Sequence, residues 1–146
     1  MSTKVNVNWV KDMLFDAEVS GHHVKMDVDV QFGGNDEGAR PKPLLLAALS
    51  GCSGMDVVSI LKKMKVPAYT FKIGLDADST SEHPIIYHTI RMDFHFAGED
   101  LPEDKFVKAV RLSTEKYCGV NAMLSKAANI IVRIFINGKE VTYNED

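Results

Sequence analysis

A chain of 146 residues with 45% hydrophobic and 25% charged side chains is long enough to enclose one core, and it contains no biased tract or internal repeat. A formal net charge of -3 argues against a polyanionic partner, whether nucleic acid or an anionic membrane surface, because those select clustered Lys and Arg. The expectation is therefore a cytoplasmic protein of one domain, 1–146, since the N-terminal stretch lacks a signal-peptide core and the longest apolar run, Leu44 to Leu49, is too short to span a bilayer.

In chain order, residues 5–10 (VNVNWV) alternate apolar and polar, Leu14 to Val19 reads as a second strand, and 24–31 (VKMDVDVQ) alternates again. Ser20-Gly21-His22 separates the last two, so the N-terminal third is predicted to be an antiparallel meander. Phe32 to Pro43 is a loop by its Gly, Pro and Asn content. It leads into a long helix, Leu44 to Lys65, expected to be buried on every side in its first half and partly exposed in its second. Lys62, Lys63 and Lys65 fall at the C-terminal end of that helix, where cations complement its dipole.

Phe71 to Asp78 and Ile86 to Phe96 alternate as two further strands. On the second of these His88 shares a face with Ile86 and Ile90, predicting a core histidine, and His95 faces solvent. A second helix is predicted from an Asp100 cap to about Tyr117, burying Phe106, Val110 and Tyr117. Asn121 is a candidate cap for a short helical segment through Lys126. Ile130 to Ile136 is the last long strand, turned by Asn137-Gly138 into Val141 to Tyr143. The order strands, helix, strands, helix, strands predicts an α+β fold with largely antiparallel sheets against a long buried central helix and a second helix. A helix buried all round favours a dimer that encloses two copies of it.

The central helix contains Ser50-Gly51-Cys52-Ser53-Gly54, with two interior glycines that each cost roughly 0.5–1 kcal/mol relative to alanine. Close approach of another backbone or a ligand would offset that cost. The two cysteines, Cys52 and Cys118, are either buried small hydrophobes or redox-active thiols. A nucleophilic Cys52 would need a nearby cation or hydrogen-bond donor, because it lies beyond the reach of the helix-terminal dipole and Asp56 at i+4 opposes a second negative charge. Arg40, Lys42 or a residue of a partner chain could supply that cation. Cys118, at a helix end beside Gly119, suits a resolving thiol. The five histidines show no ligand spacing and no C-x-x-C or phosphate loop is present, so neither a metal nor a cofactor is expected.

The run Pro41 to Cys52, then Met55-Asp56-Val57-Val58 and Leu61 to Met64, together with Tyr117-Cys118-Gly119-Val120 and Leu124-Ser125-Lys126, resembles the OsmC and organic hydroperoxide resistance family. The likeness extends over nearly the whole chain and is nearest to the OsmC-like branch with an aspartate four residues past the cysteine. It implies an intertwined homodimer of α+β protomers serving oxidative or osmotic stress defence. It further implies that Cys52 is peroxidatic toward organic hydroperoxides and that Cys118 resolves the sulfenic acid to a disulfide. An external dithiol, often lipoyl-linked, would then reduce that disulfide. Active members of the family share an arginine in the N-terminal strands and a glutamate near the start of the central helix. Here no arginine precedes Arg40, and the glutamate positions hold Lys42, Pro43 and Leu44, which leaves Arg40, Lys42 and Glu37 as candidate thiolate stabilisers. The alternative is an OsmC-fold small-molecule-binding or redox-sensing protein with little peroxidase activity.

Overall fold

Two compact units make up the computed structural model, which describes residues 1–143: Met1–Ala47, and a second beginning at Ala48. In the first unit β1 (Asn6–Lys11), β2 (Leu14–Val19) and β3 (His22–Met26) form the expected antiparallel meander, in the order β1-β2-β3. Ser20 and Gly21 turn β2 into β3 with both φ angles positive, 53° and 78°, the geometry that matches strand twist in a two-residue hairpin.

The alternation of 24–31 promised a longer third strand than the chain forms. After Met26 the backbone leaves the sheet, and Val30 to Phe32 make a 3-10 turn in which Val30 is 74% exposed. Asp27 explains the departure. Its carboxylate is buried and accepts hydrogen bonds from the backbone N–H groups of Val28 (2.8 Å), Asn35 (3.2 Å) and Glu37 (3.0 Å), drawing a loop around itself instead of pairing a strand. Gly34 passes so close to the Val28 carbonyl and the Asp27 carboxylate that a side chain there has no room.

Helix α1 (Pro41–Lys63) begins two prolines earlier than its apolar run, since Pro41 and Pro43 both fit a first turn whose N–H groups have no intrahelical acceptor. By length and composition it reaches the range of a bilayer-spanning helix, with a window hydropathy of 1.8, a property the short run Leu44 to Leu49 did not reveal. Within the single chain its second half is the more buried one. Leu45 in the first half is 46% exposed, and the buried residues Leu49, Ser53, Val57 and Leu61 form a stripe at i, i+4 running through the second half.

The second unit holds a four-stranded sheet, β4 (Thr70–Ser79), β5 (Tyr87–Ala97), β6 (Asn129–Ile136) and β7 (Lys139–Val141), in that order. It is largely antiparallel, with one parallel pair, β5 to β6. That pair is parallel because the intervening chain returns through α2 (Glu103–Leu112) and α3 (Gly119–Leu124), a crossover rather than a hairpin. Ile90, Met92, Phe94 and Phe96 of β5 are buried on one face, where Phe106 of α2 packs edge-on against Phe96 at 4.8 Å between ring centroids. Asn137 and Gly138, with φ of 50° and 80°, make the predicted hairpin.

Two side chains depart from their predicted faces for local reasons. Asp78 pairs with Thr89 and Ser79 with Tyr87, so His88 is the extra residue of a bulge and points into solvent, its Nδ1 2.8 Å from the Thr89 hydroxyl. Tyr117 is 54% exposed because α2 ends at Leu112 and Ser113–Tyr117 form a π turn, which adds a residue and breaks the 3.6-residue phase. Asp100 does not cap α2 either. It has φ of 53°, and Pro102 occupies the cap position.

Candidate functional site

Cys52, Asp56 and Cys118 come together in the second unit, their sulfur and carboxylate oxygen atoms all within 4.8 Å of one another. The i, i+4 spacing on α1 stacks Cys52 over Asp56 on one helix face. Cys118 reaches the same place from the end of the π turn, where its N–H donates to the Ser113 carbonyl at 2.8 Å and its backbone opens to an extended conformation. Both thiols are free, Cys52 half-buried and Cys118 buried.

Small polar groups surround the second thiol. The Ser53 hydroxyl donates to Cys118 Sγ at 3.3 Å, and the Asn121 N–H donates to the same sulfur at 3.3 Å, so that Cys118 caps α3. Sequence reasoning gave the cap to Asn121, which is instead the donor. Burial pushes the Cys118 thiol up from its ordinary range, the Ser53 hydroxyl works against that rise, neighbouring Cys52 adds to it, and the Asn121 N–H again opposes it.

Ser113, fully buried, ties the two segments together. Its hydroxyl lies 3.2 Å from the Ser53 carbonyl oxygen and 3.0 Å from Asp56 Oδ2, and its one hydrogen serves both acceptors. The roles of Ser53 and Ser113 have no signature in the sequence, since each depends on which segment packs against it. Of the two helix glycines, Gly54 faces a close neighbour: a Cβ there would stand 3.4 Å from Ile73 Cδ1 of β4. Gly51 meets nothing within 4 Å.

The three candidate thiolate stabilisers lie in the first unit. Arg40 is paired with Asp36 and with Asp29 (2.5 Å) and also donates to the Gly38 carbonyl. These carboxylates hold its guanidinium, already permanently charged, further above its ordinary range, the Asp36 hydrogen bond being the largest cause. Glu37 pairs with Lys11 at 3.3 Å, and Lys42 is the second residue of α1. A cleft of about 460 Å³ is lined by Asp56, Ser59, Ile60, Lys63, Leu112 and Tyr117.

The family profile described as OsmC-like protein matches residues 33–133. Protein YhfA of Escherichia coli strain K12 is 37% identical over 128 residues, covering 87% of this chain and 92% of its own. Among solved structures, a hypothetical protein from Aquifex aeolicus VF5 superposes with a TM-score of 0.82 at 30% identity, covering 94% of this chain and 97% of its own. An organic hydroperoxide resistance protein OsmC from Legionella pneumophila shares the fold, with a TM-score of 0.62 at 12% identity and coverage of 93% and 96%.

Proposed function

The chain belongs to the OsmC-like family, and on that premise we propose that it is a thiol peroxidase acting on organic hydroperoxides through Cys52 and Cys118. The proximity of the two sulfurs, within 4.8 Å, carries this reading. A disulfide bond is about 2.05 Å long, so closure requires the sulfurs to approach by no more than roughly 2.8 Å, within reach of side-chain rotation. The Cys52 thiolate attacks one peroxide oxygen, the O–O bond breaks, and the alkoxide leaves as the alcohol after taking a proton. Cys118 sulfur then displaces the hydroxyl of the resulting sulfenic acid as water and forms the disulfide. Two thiol–disulfide exchanges with an external dithiol, lipoyl-linked in one version, return both thiols and oxidise the dithiol. Arg40, Lys42 and Glu37 are proposed to stand in for the arginine and glutamate of active members, the two cations favouring the Cys52 thiolate and Glu37 orienting them.

The assembly proposed is a homodimer. All six residues of β1 are exposed in the single chain, with Trp9 at 66%, and a second copy would cover that strand and the apolar first half of α1. We place the protein in the cytoplasm, in oxidative or osmotic stress defence. Light scattering that gave a monomer at micromolar concentration would remove the dimer from this proposal.

Cumene hydroperoxide added in slight excess to the reduced protein is expected to join Cys52 to Cys118 within one chain, visible in intact mass as the loss of two hydrogens. Cys52→Ser is expected to abolish peroxide consumption. Thiols that remain unchanged after long exposure would overturn the peroxidase reading. The position of Asp56 supports a second reading, a small-molecule-binding or redox-sensing protein, because a carboxylate so near repels a thiolate formed at either sulfur. That reading predicts slow oxidation together with an apolar ligand retained in native mass spectrometry.

A further inference from the structure

Two thiols and a carboxylate drawn together from separate elements are also a donor set for a metal ion. Tetrahedral zinc with Zn–S of about 2.3 Å places two ligand sulfurs about 3.8 Å apart. The three donor atoms here all lie within 4.8 Å of each other, so roughly 1 Å of side-chain movement would bring the sulfurs to that spacing. Cys52 and Asp56 occupy the i, i+4 spacing that lets two ligands of one helix face the same ion. Ser113, buried, donates to Asp56 Oδ2 and so fixes the carboxylate, as outer hydrogen bonds commonly do for metal ligands. With both thiols ionised the donor set carries three negative charges, which suit a divalent cation, and of the three donors Asp56 also lines the neighbouring cleft, together with Lys63.

We propose that Cys52, Cys118 and Asp56 of the reduced protein bind a thiophilic divalent cation, zinc or cadmium, through two sulfurs and one carboxylate oxygen, with a fourth position open to water. Binding releases the two thiol protons to solvent and leaves both sulfurs at the same oxidation state. It requires the dithiol form, since a disulfide has no thiolate to offer. The ion and a hydroperoxide therefore compete for one pair of sulfurs. This inhibitory consequence rests on the peroxidase reading, whereas the binding does not.

The test is titration of the reduced full chain with cadmium, followed by the ultraviolet charge-transfer absorbance of cadmium–thiolate bonds, with no peroxide present. One cadmium per chain is expected. The double variant Cys52→Ser/Cys118→Ser is expected to lose the band, and Asp56→Asn to weaken binding by at least about tenfold. Absence of a band in the unaltered protein, persistence of the band in the double variant, or undiminished affinity in Asp56→Asn would each overturn the proposal. X-ray absorption at the zinc edge of the unaltered protein tests the ligand set without any variant: two sulfurs at about 2.3 Å are expected, and fewer than two would overturn it. If the chain binds cadmium but is not oxidised by cumene hydroperoxide, the metal site stands and the peroxidase reading falls. If it is oxidised but binds no cadmium, the reverse holds.

Discussion

Asp27 and Asp56 are aspartates held away from bulk solvent in two parts of the molecule, and their partners differ in kind. Asp27 is 1% exposed and accepts three backbone N–H groups, so the loop from Val28 to Glu37 is wrapped on a carboxylate with little capacity to spare. Asp56 is half-buried and has, among the described residues, one side-chain donor, the Ser113 hydroxyl, which it shares with a carbonyl. An acid saturated by backbone donors is part of the architecture. An acid held by a single hydroxyl beside two thiols keeps lone pairs for chemistry.

Substitution separates the two roles. Asp27→Asn has the largest expected effect on folding, because an amide cannot accept three N–H groups as an anion does and its own NH₂ faces donors. The midpoint of thermal unfolding should fall by about 5 °C or more. Asp56→Asn should leave that midpoint nearly unchanged but raise the rate of Cys52 alkylation by iodoacetamide, by about threefold to tenfold, since a repelling charge is gone. A reversal of these two results would erase the distinction.

Acid titration sharpens it. The Glu37 N–H above all, with those of Val28 and Asn35 and the Arg40 charge, holds the Asp27 carboxyl below the ordinary carboxylate range against the cost of burial. Its stabilisation is thus fully present above the unfolded value near 3.9 and is lost as pH falls through the lower folded value. Chemical denaturation of the unaltered protein should show this decline below about pH 4, and the decline should be shallower in Asp27→Asn. Ser113→Ala comes next, lowering the midpoint by about 2–4 °C through one lost hydrogen bond. The smallest expected effect lies at Cys118, where burial opposes the thiolate. Its alkylation should reach half-maximal rate above the ordinary thiol range, and Ser53→Ala should move that point slightly higher. A midpoint below that range would overturn the assignment of Cys118 as a protonated, sheltered thiol.

Much of the fold was legible in the sequence because it is written in local periods. The strand read at Leu14 to Val19, the alternation of Phe71 to Asp78 and the Asn137-Gly138 turn are local signals of pleat and hairpin, and each lies where it was expected. What was not legible depends on one side chain overriding its neighbours. Asp27 ended β3 by capturing backbone groups, the bulge turned His88 outward, and the π turn moved Tyr117 to the surface. The candidate site follows the same division. Cys52 and Asp56 could be paired in advance through helix geometry, whereas the approach of Cys118 and the bridging by Ser113 depend on how a crossover returns, which spacing along the chain does not encode. Likewise the exposed first half of α1 was read as interior because apolar composition alone does not say which chain covers it.

The π turn at Ser113–Tyr117 implies an asymmetry in how this segment tolerates changes of length. The Cys118 N–H reaches back five residues to the Ser113 carbonyl, so removing one residue between them would let the same turn close as regular α-helix and leave Cys118 close to its present place, whereas one residue more, at about 100° per residue, would rotate everything beyond it. With such an insertion Cys118 would leave the vicinity of Cys52, although no side chain of the site had been replaced. Chains related to this one can therefore be sorted by counting residues from Ser113 to Cys118. Those one residue shorter are expected to keep the two cysteines within reach of each other, and those one residue longer to hold two that cannot meet.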